Sequence, residues 1–159
     1  MWEVDTALEK ISSKIENYSL PNKPTTFGKD YSFPDDITRV TSHELGQWMF
    51  KLASWKGYTL RMLALAESEH SLVEDSYNVL LAKIVSEIDN GKRFTKEVLT
   101  GKALTSDKNL RKLKIRLMES SSEVMATKRI LDIYTMQIEI VSREISRRSL
   151  DLKIHEKGL

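Results

Sequence analysis

Residues 110–152 read LRKLKIRLMESSSEVMATKRILDIYTMQIEIVSREISRRSLDL. Within them Leu110, Leu117, Val124, Leu131, Ile138, Ile145 and Leu152 stand seven apart, and all are apolar. The companion column of Leu113, Ser120, Thr127, Tyr134, Val141 and Arg148 is only half apolar. A strict seven-residue repeat keeps one stripe of a helix turned toward a partner helix. Small side chains at Ser120, Ser121, Ser122 and Thr127 let that partner come close. An ordinary amphipathic helix in a small bundle is the plainer alternative, and both predict one long helix over about 107–153.

The partner lies upstream. Thr41 and Glu44 have the spacing of a capping box, a helix-start signal. From Leu45 to Ile88 there is no proline, and apolar or small residues recur at Leu45, Trp48, Leu52, Trp55, Thr59, Met62 and Ala66. After a polar patch, Glu67 to Ser71, they resume at Val73, Tyr77, Leu80 or Leu81, Ile84 and Ile88. Asp89-Asn90-Gly91 is a turn and helix-end signal. The polar residues 91–106 leave room for a one- or two-turn helix around Phe94 to Leu99, and Ser106 or Asp107 caps the next helix. Two long helices joined by such a turn predict an antiparallel hairpin.

Further upstream all three prolines, Pro21, Pro24 and Pro34, fall within residues 19–41. Each removes a backbone donor and disfavours helix at the residue before it. This reads as an extended arm whose aromatics, Phe27, Tyr31 and Phe33, pack on something. Before it, Val4, Leu8, Ile11, Ile15 and Tyr18 fall at helical spacing, so residues 1–18 are expected to be a short helix. The fold class is all-α: N-terminal helix, Pro-containing arm, then a long antiparallel helical hairpin over 42–159 with coiled-coil character.

A hairpin of this kind does not cover its own apolar surface. Trp48, Met49, Phe50, Trp55, Tyr58, Met62 and Leu63 spread around more than one face of the helix. Burying each large side chain is worth roughly 1.5–3 kcal/mol, so self-association is expected. Trp48, Leu52, Trp55, Met62, Leu117, Val124, Leu131, Ile138 and Ile145 are the expected contacts.

Composition excludes several classes. The chain has no Cys, which removes disulfide frameworks and thiolate metal sites. No apolar run approaches the ~20 residues that span a bilayer. The start, Met1-Trp2-Glu3-Val4-Asp5, is acidic and lacks the apolar core of a signal peptide. A cytoplasmic protein without membrane contact is the expectation.

Chemistry-bearing motifs are sparse. The six glycines form no phosphate-cradling loop. The three histidines, His43, His70 and His155, accompany no nucleophile elbow. Glu67-x-x-His70 has the spacing of half a di-iron site, but the second half is missing. Glu67 and His70 therefore read as polar surface. Paired acids such as Asp35-Asp36 and Glu74-Asp75 lack the apolar setting that raises a carboxylate pKa. Catalysis, metal and cofactor are not expected.

Charge is the better lead. The formal net charge is +2, but it is unevenly spread. Residues 1–36 carry 4 basic and 7 acidic side chains, residues 37–89 carry 5 and 7, and residues 90–159 carry 16 and 9. Lys108, Arg111, Lys112, Lys114 and Arg116 follow one another with no acid between them, and Lys92, Arg93, Lys96 and Lys102 lie just upstream. At one end of a hairpin these nine make a positive tip suited to phosphate backbones. Arg143, Arg147 and Arg148 form a smaller cluster. Long solvated helices also carry many bases, yet cations at 108–116 oppose the dipole of the helix they open. Of the aromatics that single-strand binders use for stacking, only Phe94 lies near the tip.

The run Leu45-Gly-Gln-Trp48-Met-Phe-Lys-Leu52-Ala-Ser-Trp55-Lys-Gly-Tyr-Thr-Leu-Arg61-Met62-Leu-Ala-Leu-Ala66-Glu67 resembles the first long helix of UvsY-type phage recombination mediators, as do the chain's size and two-helix layout. The resemblance covers residues 41–90, about a third of the chain. It implies oligomeric rings that bind single-stranded DNA and help load a recombinase over single-strand-binding protein, in the host cytoplasm if phage-encoded. The family's basic, aromatic stretch after that helix is missing: Leu72 to Ile84 has Lys83 as its one base and Glu74-Asp75 as acids. No DNA-contact residue is therefore carried over from the family, and the positive tip rests on the charges alone. The alternative is a helical interaction module, an adaptor, chaperone or inhibitor, that docks a partner helix and binds no nucleic acid.

Overall fold

The structure, a computed structural model, describes the backbone of residues 2–17, 20–25, 31–88 and 94–156. Four α-helices account for most of these: α1 (Trp2–Glu16), α2 (Ser42–Ile88), α3 (Lys96–Ser106) and α4 (Lys108–Glu156). A 3-10 turn, Ile37–Arg39, precedes α2. The protein is all-α, and α2 with α4 forms the long hairpin that the two periodic stretches predicted.

The helix starts follow from local chemistry. The Thr41 backbone N–H donates to Glu44 Oε2 at 2.8 Å, and the Glu44 N–H donates to Thr41 Oγ1 at 3.3 Å. This reciprocal capping box opens α2. The Thr41 hydroxyl also donates to Glu44 Oε2, at 2.7 Å, and this bond, followed by that from the Thr41 N–H, lowers the Glu44 pKa. Asp107 sits between two helices: its N–H donates to the Ala103 carbonyl at the end of α3, and its Oδ1 accepts from the Leu110 N–H, 2.7 Å, at the start of α4. The expected short helix near Phe94–Leu99 begins later and runs to three turns. Thr95 caps it by accepting from the Val98 N–H, and Gly101 does not interrupt it. The expected break at Asp89-Asn90-Gly91, Tyr18 and Phe27 lie outside the described residues.

Two compact units form, one from residues 1–19 and 63–126, the other from 20–62 and 127–159. In the first, Val4 of α1 is buried with Val73, Tyr77 and Ile84 of α2, Ala103 of α3, and Leu110 and Leu113 of α4. Here α2 and α4 run antiparallel, for His70 faces Ser120 while Tyr77 faces Lys114. Ser120 is 4% exposed, so the small position in the companion column is where the helices meet closely. His70 is a correction to its reading as polar surface: it is half-buried, with Nδ1 3.1 Å from Ser120 Oγ.

In the second unit Leu45, Leu52 and Val141 are wholly buried. The arm packs on them through Phe33, Ile37 and Val40. The Tyr31 hydroxyl donates to Gln137 Oε1, and its ring meets Trp48 edge-on at 5.9 Å. Burial raises the Tyr31 pKa above the usual phenol value. Trp55 stacks on Tyr134. Of the seven-residue column, Leu110 and Val124 are buried and Leu117, Leu131, Ile138 and Ile145 half-buried, while Leu152 is 64% exposed. The repeat thus extends beyond the part of α4 that finds a partner.

Candidate nucleic-acid interface

The predicted tip falls in the first unit, on α3 and the first turns of α4. Lys108, Arg111 and Lys112 are exposed and make no ion pair among the described residues. Their spacing, three then one, puts them on one side of the helix. The first turn of α4 contains no acid; Asp107 offsets the dipole clash only as the cap. Lys96 is exposed in the first turn of α3 beside Glu97, whose carboxylate is held below its ordinary pKa chiefly by a backbone hydrogen bond within the helix start.

Three other bases are engaged within the chain. Lys102 holds its ammonium 3.5 Å from the centre of the Phe94 ring. Lys114, half-buried, lies 5.3 Å from the Tyr77 ring. Arg116 donates from Nη1 to Asp5 Oδ1 at 2.7 Å, and from Nε and Nη2 to Glu69 Oε1 at 3.1 Å. The bond to Asp5 contributes most to raising its pKa, with Glu69 adding to it. This arginine ties α1 to α2 and α4. Lys92 and Arg93 lie outside the described residues.

The cationic face has an edge. A groove of about 370 Å³ beside it is lined by Lys112 and Arg116, but also by Glu69, Glu119 and Glu123. Free positive charge is therefore concentrated on Lys108, Arg111 and Lys112, ahead of Glu119. The second basic cluster is neutralised. Arg147 and Arg148 both donate to Glu144, whose side chain is 6% exposed, and Arg143 lies 3.7 Å from Glu139. The sequence reading missed this network, although acid and base at i, i+3 and i, i+4 were legible there.

The residues expected to mediate self-association are largely occupied within one chain. Leu52 and Val124 are buried, and Trp48, Trp55, Leu117, Leu131, Ile138 and Ile145 are half-buried. Met62 is 37% exposed. The uncovered apolar side chains are others: Phe50 and Val79 on α2, and Ile115, Met118, Met125, Ile133 and Met136 on α4. Those on α4 lie out of phase with the heptad columns, which is the signal that could have found them.

Among the described residues no helix is long and apolar enough to cross a membrane. No protein-family model, curated protein or solved structure matches the chain.

Proposed function

We propose that this chain is a helical accessory protein that assembles with copies of itself and binds single-stranded DNA through the first turns of α4. In this reading it assists the loading of a recombinase onto strands held by single-strand-binding protein. One observation carries the DNA-binding part: Lys108, Arg111 and Lys112 stand exposed on one side of α4, without ion pairs among the described residues, at the helix end where cations are least favourable. Phosphates would relieve that mutual repulsion, and the bases that neutralise them would release the counterions condensed on the strand. The recombination part rests on the resemblance of residues 41–90 to UvsY-type mediators.

The test is fluorescence anisotropy with labelled single-stranded and duplex oligonucleotides at about 50 and 200 mM salt. Binding should weaken steeply at the higher salt. Reversing Lys108, Arg111 and Lys112 to Glu should flatten the salt dependence by about 0.7 in log–log slope for each phosphate no longer neutralised. Absence of binding at the lower salt would sink the reading.

A second reading has its own observation. Ile115, Met118 and Met125 are 57%, 61% and 61% exposed. Their spacing along α4 suits a docked partner helix, which makes an interaction module the alternative. A partner that copurifies, with no DNA affinity, would select it.

A further inference from the structure

Phe50 is the most exposed large apolar side chain described, at 80%. It borders a groove, of about 590 Å³, between the Pro-containing arm and α2. Pro21, Asn22, Pro24 and Thr25 form one wall, and Ala53 and Ser54 flank Phe50 on the other. The arm is held in place. The Pro21 ring packs on Gly57, where an added Cβ would lie 3.0 Å from Pro21 Cγ. Arg61 Nη1 donates to Asn22 Oδ1 at 3.3 Å.

The two segments that form its walls carry bases and no acid. From Leu45 to Ala66 α2 carries no Asp or Glu, and neither does the arm from Leu20 to Thr25. Lys23 is exposed between the lining residues Asn22 and Pro24, and Arg61 is bonded to Asn22, whereas Lys51 is engaged 5.4 Å from the Trp48 ring. Bases without acids beside an exposed ring suit a phosphate-bearing ligand with a flat ring. Single-strand binders combine a positive track with an aromatic face on which an unpaired base stacks.

We propose that this groove holds an unpaired nucleobase, stacked on the Phe50 ring, of a single-stranded nucleic acid whose adjoining phosphates lie against Lys23 and Arg61. The site rests on the nucleic-acid-binding reading but not on Lys108, Arg111 or Lys112. It supplies the aromatic contact that the α4 face lacks, and it distinguishes single strands from duplexes because paired bases present no free ring face.

The test compares the full chain with Phe50→Ala by anisotropy, using a 30-nucleotide oligothymidylate and an abasic oligomer of equal length at about 50 mM salt. Oligothymidylate should bind the full chain more tightly than the abasic oligomer. Phe50→Ala should weaken the first about tenfold and the second far less. The triple Glu variant of Lys108, Arg111 and Lys112 should weaken both alike. If both oligomers bind but Phe50→Ala costs them equally, or costs neither, the stacking site is overturned and the α4 reading stands. If neither binds the full chain, both fall. If the variant leaves binding intact but sediments as a smaller species, the groove belongs to self-association and the proposal is overturned.

Discussion

Arg148, on α4, donates from Nη2 to the carbonyl oxygen of Val40, 2.7 Å away and just ahead of α2. The same guanidinium donates to the Thr38 carbonyl at 3.0 Å, to Ser42 Oγ at 3.2 Å and to Glu144 Oε1 at 2.7 Å. One side chain thus satisfies backbone acceptors that the end of the arm would otherwise leave to water. Arg148→Met should therefore destabilise by about 2 kcal/mol, in the range for bonds from charged donors. Arg143→Met should cost well under 1 kcal/mol, because its pair with Glu139 is exposed. Urea unfolding followed by circular dichroism measures both, and equal losses would refute the bridging role.

Glu144 makes stability depend on acid. Hydrogen bonds from Arg147, at 2.8 and 2.9 Å, and then from Arg148 hold its pKa down to about 2 from an ordinary 4.5. The folded state gives up this proton more readily than the unfolded one, so the contribution is complete above about 4.5 and lost as pH falls toward 2. Glu144→Gln should melt at lower temperature near neutral pH and lose less on acidification. The lowered pKa values of Glu44 and Glu97 leave it some acid sensitivity. An unchanged acid slope in melting experiments would remove Glu144 from the account.

Two helical glycines should respond differently to Ala. At Gly101 an added Cβ meets nothing within 4 Å, so the gain in helix propensity, about 0.5–1 kcal/mol, is unopposed. At Gly57 the Pro21 ring lies 3.0 Å from that Cβ and must move. Gly101→Ala should raise the Tm and Gly57→Ala should raise it less or lower it. A larger gain at Gly57 would mean that the arm does not pack there.

Leu52 and Phe50 are two residues apart on α2 but should differ sharply. Leu52 is wholly buried, so Leu52→Ala should cost about 2–5 kcal/mol. Phe50→Ala should change stability by less than about 0.5 kcal/mol. Chemical denaturation of both variants separates a structural ring from one presented to solvent; a large loss at Phe50 would assign it to packing.

The hairpin was legible because apolar spacing along a helix reports which stripe meets a neighbour, whatever that neighbour is. Trp48, Leu52, Leu110 and Leu117 follow that spacing and are all at least half-buried. Burial within the chain and burial against a second copy leave the same spacing, so the expected self-association surface was not separable from the intrachain seam. His70 was misread because a polar residue at a change of phase looks solvated until a small residue, here Ser120, stands opposite it.

The α4 face was legible as a run of like charge. Its sorting was not: Arg116 and Arg111 are chemically identical in the sequence, and only folding sets Arg116 beside Asp5, 111 residues away, and beside Glu69. By itself the sequence determined the two long helices, the caps that open them and the all-α class, because backbone hydrogen bonding, capping and periodicity are local. Tertiary structure decided that Arg116 is spent on Asp5 and Glu69 while Arg111 stays exposed, and it set the arm against Phe50. Those outcomes depend on contacts between residues distant in sequence, whose energies no local pattern records.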